Sequence, residues 1–112
     1  MESLISWQDF AKVDIRVGTI IKVEDFPKAR NPSYQIRIDF GDNIGIKKSS
    51  AQLTDRYTKE ALLGKQVAAV VNFPKKQIAN FMSECLILGA VDGKDVILLQ
   101  PETTALNGLK IS

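Results

Sequence analysis

Two stretches of this chain swap apolar and polar residues at every step, and they constrain its fold more than any other feature. Val13, Ile15 and Val17 alternate with Asp14 and Arg16; Ile36, Ile38 and Phe40 alternate with Gln35, Arg37 and Asp39. Successive side chains on a strand point to opposite faces, so each stretch reads as a half-buried strand. Gly18 interrupts the first and is expected to mark a bulge or tight bend. The PKARNPS segment between them is a loop. Gly41, Asp42 and Asn43 form a turn, which makes IGIKKSSAQ an antiparallel return strand.

The remaining elements complete one architecture. Ser6, Trp7, Gln8 and Asp9 read as a capping-box variant opening a short helix through Phe10 and Ala11. Leu53, Tyr57, Ala61 and Leu62 recur at helical spacing, with Thr54 as the expected N-cap and Gly64 as the stop. KQVAAVVNF is a strand buried on both faces, and SECLILGAVDG with KDVILLQPE is a hairpin around Asp92 and Gly93. Five or six short strands with one helix between the third and fourth match a closed antiparallel barrel of the OB type better than a β-sandwich. The chain of 112 residues is long enough for one domain, spanning 1–112.

Composition narrows the chemistry. The chain has no histidine, which excludes serine–histidine and cysteine–histidine nucleophile pairs and histidine metal sites. One cysteine, Cys85, permits neither an internal disulfide nor a cysteine-only zinc cage, and it is expected to pack as a small apolar residue. No phosphate-binding, dinucleotide or nucleophile-elbow motif occurs, and the acids are scattered apart from Glu24 and Asp25. The expectation is a protein that is not an enzyme and holds no metal or cofactor. No apolar run approaches the ~20 residues of a membrane span, and Glu2 stands where a signal peptide carries basic residues. A cytoplasmic protein without membrane insertion is therefore expected.

Charge is unevenly placed. Residues 44–83 hold Lys47, Lys48, Arg56, Lys59, Lys65, Lys75 and Lys76 against Asp55 and Glu60, while acids dominate the remainder. Such a split implies one basic face for an anionic partner. Within that region NFPKKQIANFMSECLILG sets two phenylalanines beside two adjacent lysines. Aromatics with cations suit stacked bases, and they equally suit an extended peptide.

The stretch FAKVDIRVG, residues 10–18, resembles the opening F-x-K-[VL]-D-[LI]-R-V-G of the stand-alone tRNA-binding-domain family. YTKEALLGK, residues 57–65, is similar to that family's Y-T-P-E-E-L-V-G-K, and the likeness continues through Val70, Val71, Asn72, Phe73 and Ser83. The resemblance implies an OB barrel whose N- and C-terminal segments build a homodimer interface. Within the family the chain looks most like the CsaA branch of bacterial export chaperones. That likeness implies binding of unfolded preproteins and of the translocation ATPase SecA, without ATP hydrolysis. The alternative it carries is a module that recognises tRNA through a basic face. Three departures weigh against tRNA: Ser83-Glu84-Cys85-Leu86 replaces S-x-G-M, Lys48-Ser49-Ser50-Ala51-Gln52 replaces V-S-G-I-A, and residues 74–81 lack the arginine and glycine of K-P-x-K-x-R-G.

Candidate site residues follow. Asn72, Gln77 and Asn80 offer amides to an extended backbone, Phe73, Ile78 and Phe81 offer apolar pocket walls, and Arg37, Lys75, Lys76 and Ser83 complete the peptide set. Phe81 is expected to be partly exposed; Phe73 is read either as core or as pocket lining. Lys47, Lys48, Lys75 and Lys76 are the candidate RNA contacts. Arg16 is expected to form a salt bridge with Asp14 or Asp39 in preference to touching a ligand directly. Trp7, Phe10, Leu106, Leu109 and Ile111 are the candidate dimer contacts, although Trp7 and Phe10 could instead cap the barrel of one subunit.

Overall fold

The computed structural model describes residues 3–112. The long strand β1 (Ile15–Asp25) organises the rest: its later half pairs with β2 (Tyr34–Asp39), its earlier half with β4 (Gln66–Val70), all antiparallel. Thr19 pairs with both partners, and a register shift between Ile20 and Lys22 then bends β1 within its pairing with β2. Strand β3 (Ile46–Ala51) returns along β2, β7 (Leu86–Ile87) extends the sheet beyond β4, and β10 (Lys110–Ile111) lies beside the start of β1.

Three hydrogen bonds bring the two ends of this sheet together. The Glu84 N–H donates to the Lys48 carbonyl at 2.8 Å, the Ser49 hydroxyl to the Cys85 carbonyl at 3.0 Å, and the Ser50 N–H to the Ser83 hydroxyl at 3.1 Å. The result is a nearly closed antiparallel barrel of five strands. Its interior is filled by the residues that the alternation assigns inward, with Ile36, Ile38 and Phe40 joined by Ile20, Leu62 and Val67. Each fully buried aliphatic side chain contributes about 1.5–3 kcal/mol. Strand β4 is buried along nearly its whole length, which accounts for its unbroken apolar run.

Helix α1 (Trp7–Ala11) carries the expected capping box, with Ser6 and Asp9 each accepting the other's backbone N–H. Helix α2 differs from its expected start. It spans Lys59–Leu62 with Thr58, not Thr54, as N-cap; the Thr58 hydroxyl accepts the Ala61 N–H. Residues 54–56 form a turn instead, closed by the Tyr57 N–H on the Leu53 carbonyl. The Tyr57 hydroxyl accepts the Leu98 N–H, and the Tyr34 hydroxyl donates to the Tyr57 carbonyl. Those two bonds fix Tyr57 at the barrel wall, so the helix begins after it. Gly18 is not the bulge either. A Cβ there would lie 2.5 Å from Ile38 and 2.7 Å from Phe40, so glycine is required by close packing.

Two hairpins stand outside the barrel. Strands β8 (Gly89–Asp92) and β9 (Asp95–Leu98) form the one expected around Asp92 and Gly93. The other, β5 (Lys76–Ile78) with β6 (Phe81–Ser83), lies in a stretch whose sequence reads only as a connector. No helix among the described residues is long and apolar enough to cross a membrane.

Candidate functional site

The β5–β6 hairpin leans over β3, and the space between them forms a groove of about 490 Å³. Phe73, Pro74, Lys75, Lys76, Ile78 and Ser83 line it from the hairpin and the chain leading into it, and Ser50, Cys85 and Leu86 line it from the barrel. Phe73 stands 55 % exposed, so it is groove lining, not core. Leu86, 47 % exposed, is an apolar contact that the sequence pattern did not single out. Cys85 is buried behind it, and burial pushes its thiol up to about 12, so it stays a neutral packing group.

Phe81 is not partly exposed, as its polar surroundings led one to expect, but only 8 % so. Its ring meets Phe26 at 5.4 Å between centroids, and the Lys48 ammonium lies 5.2 Å from its centre on another side. Phe81 therefore fastens the hairpin to the barrel. The amides are also differently employed. Asn72 accepts the Asp14 N–H at 3.0 Å and donates to the Lys12 carbonyl at 2.7 Å, tying the chain after α1 to the end of β4. Gln77 donates to the Ala79 carbonyl within its own hairpin. Asn80 is exposed at the hairpin turn, next to Ala79, whose φ of 50° is unfavourable for a residue with a Cβ. Ser83 lines the groove while its hydroxyl holds Ser50.

The lysines gather around an acid. Glu84 accepts the Lys48 N–H at 3.0 Å and lies 3.6 Å from the Lys75 ammonium. Burial opposes its ionisation, but the Lys48 N–H and the charges of Lys48 and Lys75 outweigh that and hold its carboxyl below the usual glutamate range. Lys76 is exposed beside this pair. Lys47 is separated from it, since its strand partner is the inward Ile38, and its charge acts on the Cys85 thiol. Arg37 is exposed on the outer face of β2, opposite Lys48 and Lys22 in a row across three strands. Arg16 makes the expected ion pair with Asp14 at 2.6 Å and also donates to the Gly108 carbonyl.

At the other end of β1, α1 and the C-terminal segment adjoin. Trp7 is 82 % exposed, and Leu4, Ile5, Leu106 and Leu109 are exposed as well. Phe10 and Ile111 are half-buried, Ile111 paired with Ile15. Ile5, Trp7, Phe10 and Ser112 share a shallow apolar hollow.

A five-stranded barrel of this connectivity, with a groove under an appended hairpin, is an OB-fold binding domain. Residues 15–110 match the family model described as "Putative tRNA binding domain", and the chain belongs to that tRNA-binding-domain family. Its likeness within the family is to the CsaA type. The CsaA chaperone of Bacillus anthracis is 49 % identical with a TM-score of 0.93, covering 98 % of this chain and all of that one. The CsaA chaperone protein of Picrophilus torridus is 53 % identical with a TM-score of 0.92, covering 97 % of this chain and all of that one. Methionine–tRNA ligase of Nanoarchaeum equitans is 41 % identical over 108 residues, 96 % of this chain but 14 % of the ligase. That of Pyrococcus abyssi is 36 % identical over 110 residues, 98 % of this chain and 15 % of the ligase. The chain thus spans about one-seventh of the length of these ligases.

Proposed function

We propose that this protein is a non-enzymatic, cytoplasmic chaperone that holds unfolded segments of preproteins in the groove beneath the β5–β6 hairpin and helps deliver them to the SecA-dependent translocase. The observation that carries the reading is the groove itself, where Phe73 and Leu86 are left exposed beside Ile78. Among the described residues strand β5 pairs with β6 alone, so its other edge offers backbone groups to which an extended peptide can hydrogen-bond as an added strand. The apolar lining then takes alternate side chains of the peptide. Each contact is weak, and release needs no ATP.

A second copy of the chain covers the exposed Trp7, Leu106 and Leu109, with Phe10 and Ile111 behind them. Two grooves in one dimer raise the effective concentration seen by a long client. Sedimentation at micromolar concentration checks this: the dimer runs at twice the 12.4 kDa of the chain, and a monomer contradicts it.

A second reading, tRNA recognition, is favoured by the family and by the row of Lys22, Arg37 and half-buried Lys48 across three strands. Against it, Lys75 is paired with Glu84 at 3.6 Å and the Lys48 ammonium lies over the Phe81 ring, so both are already engaged within the protein itself. Titration of the protein with a denatured preprotein and with tRNA, each at several salt concentrations, separates the two. Preprotein binding that persists near physiological salt supports the chaperone. Tight tRNA binding there, with a steep salt slope and no preprotein binding, overturns it.

A further inference from the structure

We infer that the groove continues past Leu86 into a second one, and that together they take one extended peptide whose apolar centre is flanked by acidic residues. This rests on the peptide-holding reading and specifies its substrate. The second groove, about 430 Å³, is lined by Ala51, Leu53, Ile87, Val91, Lys94 and Val96 among others. Ser50 and Leu86 line both, so the two share a boundary and not merely a neighbourhood. Val91 is 72 % exposed, a large apolar side chain left in water on a hairpin that could have carried a polar residue there.

Two features commit the occupant to an extended, acid-flanked peptide. Among the described residues strand β8 pairs with β9 alone, just as β5 pairs with β6 alone, and both contribute lining residues. Each groove therefore has a strand with an unpaired edge at its border, which an extended backbone can satisfy and a helix cannot. The charges are the second feature. Lys75 and Lys76 line the first groove and Lys94 the second, while no acid lines either. Glu84 is paired with Lys75 at 3.6 Å, so Lys76 and Lys94 carry the charge of the path, while Asp95 is held in a bidentate pair with Arg56 at 2.8 and 2.7 Å. Asp92 shares the β8–β9 turn with Lys94 but does not line the groove. The middle of the path is apolar and its outer parts are cationic.

The test uses fluorescence anisotropy on the full chain with three labelled peptides sharing one apolar centre and carrying acidic, neutral or basic flanks. At low salt the acid-flanked peptide binds about tenfold tighter than the basic-flanked one, as several exposed ion pairs of modest strength allow. The difference shrinks at high salt as screening shortens the reach of the charges. Lys94→Glu weakens the acid-flanked peptide about fivefold and strengthens the basic-flanked one. Lys94 is exposed on a turn, so the variant folds. If all three peptides bind equally, or if Lys94→Glu changes nothing, the extension is wrong while peptide holding stands. If none binds, peptide holding itself fails and this inference falls with it.

Discussion

Replacing Phe81 by alanine should unfasten the hairpin that roofs the groove, not trim a ligand contact. The side chain is 8 % exposed, stacked at a tilt of 58° on Phe26 and set against the Lys48 ammonium. Truncating a buried phenylalanine costs about 3–5 kcal/mol, and a site at the barrel's periphery belongs near the lower end. Of that, the aromatic pair accounts for about 0.5–1.5 kcal/mol and the cation contact for about 0.5–1 kcal/mol. Phe81→Leu keeps the apolar volume and loses mainly those two, so it should cost about 1–2 kcal/mol. Urea unfolding of the three proteins reads the difference. With a slope of about 1–3 kcal/mol per molar, Phe81→Ala should lower the midpoint by about 1–3 M and Phe81→Leu by roughly one- to two-thirds as much. Amide exchange over residues 76–83 should accelerate in the same order. An unchanged midpoint with unchanged exchange in the hairpin, accompanied by lost peptide binding, would refute the reasoning and place the ring on the ligand side.

Three further outcomes are expected. Ala79→Gly should stabilise the protein by about 0.5–1 kcal/mol, because a φ of 50° costs a residue with a Cβ more than glycine's extra freedom in the unfolded chain; a lowered melting temperature would contradict this. Gly18→Ala should destabilise by about 1–3 kcal/mol, since the new methyl meets Ile38 and Phe40 in a packed interior, and thermal melting reads it directly. Glu84→Gln tests the acid among the lysines through pH. The folded carboxyl titrates below its unfolded value of about 4.3, so its stabilisation is complete above that pH and is lost as pH falls through the folded value. Urea midpoints of wild type and Glu84→Gln should therefore differ by a constant amount from pH 7 to about 5 and converge below about 4.3; a gap that widened in acid would contradict the sign.

What the sequence makes legible here is what local pattern encodes. Alternation gives β1 and β2, the turn at Gly41, Asp42 and Asn43 gives β3 as their antiparallel return, the buried run gives β4, the Ser6–Asp9 reciprocity gives α1, and Asp92 with Gly93 gives the β8–β9 hairpin. The start of α2 was legible only to within a turn. Thr54 and Thr58 are equally able to cap, and the choice is made by Tyr57, whose hydroxyl is bonded to Leu98 far along the chain. The β5–β6 hairpin was hidden because its two-residue turn begins with Ala79 where glycine would have announced a positive φ. Phe81 misled because a polar neighbourhood in sequence says nothing about Phe26 across the fold. Asn72, bonded to residues about 60 positions away, was likewise beyond any local pattern. Ser50 and Leu86 stand out in sequence only as departures from a family pattern, and Lys94 only as part of a hairpin; the closed barrel shows that they border one path.

The measurement that bears most directly on peptide holding is amide chemical-shift mapping of the labelled full-length protein during titration with an unfolded preprotein segment. The groove predicts shifts concentrated at Ser50, Phe73, Lys76, Ile78, Ser83 and Leu86, with Lys22 and Arg37 on the outer β1–β2 face unmoved. Shifts confined to Lys22, Arg37 and their neighbours, or to the Trp7 and Leu106 surface, with the groove silent, would contradict it.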